Sequence, residues 1–243
     1  LRNLDIGILS YSHSQGMSMY QDRWVEYYSR FGARIARENI IITTGASEAL
    51  SIAVMSCLNP GDEIIIPEPL YANYIGFATA ADVRISPVRT TINDGFALPP
   101  MEAFEQAIRP ETKAILICNP NNPTGYLYTD EELQILKRLA KQHDLFLFVD
   151  EVYREFVYDG RKHRSILTLD GLDQHVVVFD SISKRFSACG ARIGALVSRN
   201  MEVMEAALRF AQARLSPPSL GQMAGAPLFD LPESYYTHML EEY

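Results

Sequence analysis

Cysteine is scarce in this 243-residue chain: Cys57, Cys118 and Cys189 are the only three, and no two stand at metal-ligand spacing. So sparse and odd a set excludes a disulfide framework and fits a reducing compartment, so a cytoplasmic location is expected. The five histidines are scattered, and no zinc site can be read from them. Positive charge is short too. Lys and Arg number 22 against 30 Asp and Glu, a net charge of −8. No basic face is therefore on offer, and neither nucleic acid nor a membrane surface is expected as a partner. No apolar run approaches the roughly 18 residues that span a bilayer; stretches such as Leu145 to Val149 are far shorter. The start carries no charged-then-apolar leader. The chain does not begin with Met, and it stops at Leu240-Glu241-Glu242-Tyr243 in helix-like sequence, so a piece of a longer protein is expected.

What remains is 47% apolar and 21% charged, the balance of a globular chain able to bury a core, not of a disordered, collagenous or rod-like one. Strand-like runs alternate with helix-like ones, which predicts a layered α/β domain around a mainly parallel sheet. Expected strands are Asn39 to Thr43, Glu63 to Pro67, Val83 to Val88, Lys113 to Cys118, Leu145 to Val149, Val176 to Asp180 and Gly194 to Ser198. Several are apolar throughout, as strands covered by helices on both faces should be. Expected helices are Gln21 to Ile35, Ser47 to Leu58, Tyr71 to Ala80, Pro99 to Ile108, Asp130 to His143 and Met201 to Arg214. Thr129 and Glu132 form a capping-box pattern at one helix start. Asn59-Pro60-Gly61-Asp62 ends another helix and turns into a strand. After Ser216-Pro217-Pro218-Ser219 the sequence reads as helix again, with no repeat and no linker.

Four segments carry chemistry. In Thr43-Thr44-Gly45-Ala46-Ser47-Glu48 a strand opens through small residues into a helix, where backbone N–H groups and the helix dipole favour an anion. A plain tight turn is the other reading. Asn119-Pro120-Asn121-Asn122-Pro123-Thr124-Gly125 follows a strand and is either an ordinary loop or a device that fixes polar side chains beside a ligand. In Phe148-Val149-Asp150-Glu151-Val152-Tyr153 an acid ends a buried strand; unless solvated, it must face a cation or a donor. In Ser181-Ile182-Ser183-Lys184-Arg185-Phe186-Ser187-Ala188-Cys189-Gly190-Ala191-Arg192 a lysine follows an apolar strand. It is either a surface cation or, in a partly buried loop, a nucleophilic amine, and Arg192 is placed to bind a phosphate bidentately.

Taken together and in this order, the four segments resemble the class I/II aminotransferase family, fold-type-I enzymes that use pyridoxal 5′-phosphate (PLP). The resemblance runs from near Tyr11-Ser12-His13-Ser14-Gln15-Gly16 to the end. It implies a three-layer α/β/α fold with a mixed, mainly parallel sheet. Residues 1–243 would be the cofactor-binding large domain, ending in the interdomain helix, with the C-terminal small domain and its carboxylate-clamping arginine absent. It implies Lys184 as the Schiff-base lysine and proton shuttle, and Asp150 as partner of the pyridine nitrogen. Asn122 and Tyr153 would donate to the phenolate oxygen, and Tyr71 would stack on the ring. Ala46, Ser47, Ser181 and Arg192 would hold the phosphate. Tyr11 would reach the phosphate of a partner subunit, so a homodimer with shared sites is implied. By the same analogy, cis peptides are expected at Asn122–Pro123 and Glu68–Pro69.

The implied activity exchanges an amino group between an L-amino acid and a 2-oxo acid, with aspartate the first expectation and aromatic or alanine substrates open. Arg214 is a candidate for the second cation a dicarboxylate would need, or an ordinary helix-end arginine. Two other readings stand beside this one. One is a carbon–sulfur β-lyase on the same fold; the other is the effector domain of an aminotransferase-like transcriptional regulator, which would need a basic winged-helix module upstream.

Overall fold

Apolar runs without polar alternation become strands that bury both faces. The computed structural model describes residues 9–242. Its elements in chain order are α1 (Ser18–Ser29), β1 (Ile40–Thr43), α2 (Gly45–Cys57), β2 (Glu63–Glu68), α3 (Asn73–Ala80) and β3 (Arg84–Arg89). There follow α4 (Met101–Ala107), β4 (Thr112–Cys118), α5 (Asp130–Gln142), β5 (Phe146–Asp150) and β6 (Val176–Ser181). The short turn α6 (Ile182–Arg185) leads into β7 (Gly194–Val197), α7 (Met201–Ala213), α8 (Ser219–Gly225) and α9 (Glu233–Glu242). Among these residues no helix is long and apolar enough to cross a membrane.

The strands form one sheet in the order β1-β7-β6-β5-β4-β2-β3. Only β7 runs against its neighbours β1 and β6; the remaining pairs are parallel. Successive residues of each strand serve opposite faces. Ile115, Ile117, Leu147, Val149 and Val178 join one core with α1 and α5. Leu116, Phe148, Val177 and Phe179 join the other with α2, α3 and α7. The expected mixed, helix-covered α/β sheet is therefore present, and each of the seven expected strands lies within two residues of its predicted place.

Helix α5 is built as read: Thr129 Oγ1 accepts from Glu132 N, and Glu132 returns a bond to Thr129 N at 2.7 Å. Its buried Leu133, Leu136, Leu139 and Ala140 form one stripe. Helix α1 differs from expectation, ending at Ser29 and not near Ile35. Gly32 takes φ +78°, Gly32 N bonds Ser29 O, and Ala33 N bonds Tyr28 O. That is a Schellman stop, and the glycine is what permits it. Peptide bonds before Pro69 and Pro123 are cis as expected, and so is the one before Pro120.

Candidate active site

A cavity of about 230 Å³ opens at the carboxyl ends of β4, β5 and β6, where ligands of open α/β sheets bind. Lys184, Asp150, Asn122, Tyr153 and Tyr71 all line it, and so do Ala46, Ser47, Ser181 and Arg192. Residues far apart in sequence thus converge on one space. Tyr11 does not line it; the ring stands 75% exposed elsewhere on the surface.

Asp150 ends β5 on the face of α3. Its carboxylate accepts from Tyr74 Oη at 2.9 Å and from Val152 N at 3.2 Å. Its partners are therefore donors and not a cation, and burial pushes the carboxyl from its ordinary 3.8 up to about 6. Tyr74 went unnoticed in the sequence, although it lies one helical turn beyond Tyr71; their rings meet edge-on at 5.4 Å. Buried Cys118, at the end of β4, also lines the cavity, and burial raises its thiol well above the usual range.

Lys184 lies on the turn α6 and is exposed, as a surface cation would be, yet it lines the cavity. Its Nζ stands 5.5 Å from the centre of the Tyr153 ring. Asn122 Nδ2 donates to Tyr153 Oη at 3.4 Å. Burial pushes the Tyr153 phenol up to about 12, so at neutral pH it keeps its proton and can donate.

A further set of lining residues is suited to an anion. Helix α2 presents its N-terminus beside Ala46 and Ser47. Ser181 Oγ accepts from Ser183 N at 3.0 Å and contacts Ser183 Oγ at 2.6 Å. Ser183 lines the same space and is a second hydroxyl that the S-x-S-K spacing could have signalled. Arg192 Nη1 is held by Cys189 O at 2.9 Å. Gly45, at φ +76°, leaves room for it: a Cβ there would sit 2.4 Å from Arg192 Nη2. Gly194 lets β7 approach the same turn, since its Cβ would lie 2.6 Å from the Gly45 carbonyl carbon.

Arg214 lies outside this cavity. Its Nε pairs with Glu48 at 2.9 Å and its Nη2 donates to Ile42 O at 2.6 Å. Glu48 in turn accepts from Thr44 N, so Arg214 braces the α2 turn, and the helix-end reading of it holds.

The residues present fit a phosphorylated pyridine aldehyde. One cavity brings together a buried acid, an amine, a phenol, a guanidinium, hydroxyls and a helix N-terminus.

Comparison with known proteins agrees. The sequence profile described as aminotransferase class I and II matches residues 4–242. The YugH protein of Bacillus subtilis is 37% identical over 225 residues, covering 91% of this chain and 58% of its own. The aspartate aminotransferase of Pyrococcus horikoshii is 32% identical over 237 residues, covering 96% and 59%. Among solved structures, the aspartate aminotransferase of Thermotoga maritima superimposes with a TM-score of 0.91 at 30% identity, covering 99% of this chain and 63% of that one. The alanine aminotransferase of Pyrococcus furiosus gives 0.90 at 30%, covering 97% and 61%. The chain spans about three fifths of the length of these relatives. With a matching profile along nearly its whole length and the cavity just described, the chain belongs to the aminotransferase class I and II family.

Proposed function

We propose that this chain is the PLP-binding part of an aminotransferase that exchanges an amino group between an L-amino acid and a 2-oxo acid. The observation that carries this is the meeting of Lys184 and Asp150 on one cavity that Arg192, Ser181 and the α2 N-terminus at Ala46 and Ser47 also line. When bound, PLP supplies an electron sink for the carbanion at the substrate Cα.

Each side chain has a task that its surroundings support. Asp150, fixed by Tyr74 and Val152, would hold the proton of the ring nitrogen and so favour a cationic heterocycle. Tyr153 and Asn122 donate to the phenolate oxygen. Tyr71 covers a ring face. Arg192, Ser181, Ser183 and the α2 N-terminus at Ala46 and Ser47 bind phosphate, which anchors the ring so that the reacting atoms stay in register. With the cofactor bound, Lys184 would be the residue that holds it through its amine and the base that would carry the proton at Cα.

Tyr11, exposed and outside its own cavity, is suited to reach the phosphate of a partner subunit, which supports a homodimer with shared sites. Aspartate is the first substrate to test, because relatives such as that of Pyrococcus horikoshii bear its name. Among the described residues, the only cations lining the cavity are Lys184 and Arg192. A cation for a second substrate carboxylate would therefore come from outside these residues.

The full polypeptide containing this chain should be assayed with a panel of amino acids and 2-oxoglutarate, beside a Lys184→Ala variant. New glutamate formation, lost by at least about a thousandfold in the variant, is the expected result. Pyruvate and ammonia in place of a new amino acid would make it a lyase. A variant that turns over as fast as the parent would end the reading.

A further inference from the structure

Behind the cavity, against α1, lies a cluster of five charged side chains that the chemistry above does not use. Arg185 and Asp180 are fully buried and paired. Arg154 pairs with Glu151 and reaches Asp180 at 3.5 Å. Arg185 Nε also stands 3.4 Å from Glu155. Tyr28 donates to Asp180 at 2.8 Å, and Tyr27 donates to Glu155. The two guanidinium groups lie over aromatic faces, Arg185 4.3 Å from the Tyr27 ring centre and Arg154 4.6 Å from that of Tyr28.

The placement of this cluster along the chain is specific. Glu151 follows Asp150, Arg154 follows Tyr153, Asp180 precedes Ser181 and Arg185 follows Lys184. Strand alternation explains the placement of Asp180, and the turns after β5 and β6 place Glu151, Arg154 and Arg185. Asp150 pairs in register with Phe179, so Asp180, one residue on, turns to the opposite face. Each of four cavity residues thus has a neighbour pointing the other way into the cluster.

The geometry points to Arg185 as a positioning residue: with Asp180, Arg154, Glu151 and Glu155 it ties the turn bearing Lys184 to the segment that follows Asp150 at the end of β5, and so sets the spacing between amine and carboxylate. This rests on the roles given above to Lys184 and Asp150. The turn α6 has four residues, too few to hold its own shape, and its hold comes from the Ser181 cap and the Arg185 anchor. Packing alone would not call for charge here, because well-packed apolar side chains stabilise as well as a buried ion pair or better. What a forked guanidinium adds is direction: it bonds Asp180 while facing Glu155, which a flexible apolar chain cannot reproduce. Burial also pushes the Glu155 carboxyl up to about 7.

The test uses the full polypeptide with PLP bound, comparing Arg185→Met, Arg185→Lys and Glu155→Gln. Arg185→Met should slow the single-turnover half-reaction between about tenfold and a hundredfold, with KM changed less than about twofold. The absorbance-monitored pH titration of the bound cofactor should shift by at least about 0.5 pH unit. Arg185→Lys should recover part of both. Glu155→Gln should move both readouts in the same direction by less, and it decides the matter if Arg185→Met does not fold. A lowered melting temperature with rate and titration midpoint unmoved would make the cluster merely structural and overturn the proposal. Lys184→Ala is run alongside. If it keeps the parent's turnover and titration, the roles assumed for Lys184 and Asp150 have failed, and the positioning proposal is overturned with them.

Discussion

Asp150 shows how one carboxylate couples folding to function. Held at about 6 against an ordinary 3.8, it binds more protons in the cofactor-free fold than in the unfolded chain between those values. Stability therefore falls as pH rises through that window, and the loss is complete above about 6. The gap corresponds to about 3 kcal/mol at most. Asp150→Asn removes the buried charge while Tyr74 can still bond it. Without cofactor, the variant should melt above the parent at pH 8, with the margin shrinking toward pH 4; calorimetry across pH reads this, and a constant offset would contradict it. The acid itself was legible as the polar end of an apolar strand. Its donor Tyr74 was not, because the contact joins residues 76 positions apart and an aromatic in a helix reads as core. Arg185 was less legible still. Its neighbour in sequence is the exposed Lys184, and it is contacts with Trp24, Tyr27, Glu155 and Asp180 that bury it.

The α2 turn and helix α5 show what elements inherit from single positions. Gly45→Ala must relieve both a left-handed φ and a 2.4 Å approach to Arg192. It should weaken PLP binding by at least about tenfold, read by fluorescence titration with PLP and, in parallel, competition by inorganic phosphate. Unchanged affinity for both would show that the cradle lies elsewhere. In α5, Thr129→Ala removes the cap and should cost about 1 kcal/mol in urea unfolding. Glu132→Ala should cost more, because Glu132 also accepts from Leu98 N at 2.6 Å and from Tyr126 Oη at 2.9 Å. Equal losses would mean that those extra bonds contribute nothing. The capping box was readable because its partners are three residues apart. The end of α1 was missed although Gly32 stood there, since an apolar-polar pattern running past a glycine does not say which signal wins.

The proposed dimer with shared sites makes a prediction of its own. In the full polypeptide, Tyr11→Phe should loosen PLP by about threefold to tenfold without changing the sedimentation coefficient of the dimer. A monomeric parent, or a variant that binds PLP as the parent does, would count against a tyrosine donated across an interface. Strand identity and an α/β alternation were plain in the sequence, because an all-apolar run has few other uses than a doubly covered strand.

The sequence by itself determined the local pieces: seven strands, the α5 cap, the small-residue turn, and an acid and a lysine each following an apolar run. These rest on interactions between near neighbours, where residue type and spacing suffice. Only the tertiary structure decided that β7 runs backwards between β1 and β6, that Arg214 braces a helix, and that Asp150 and Asp180 face opposite sides of the sheet. Those outcomes depend on which strands pair and in what register, and a one-residue shift of register would send each acid to the other face.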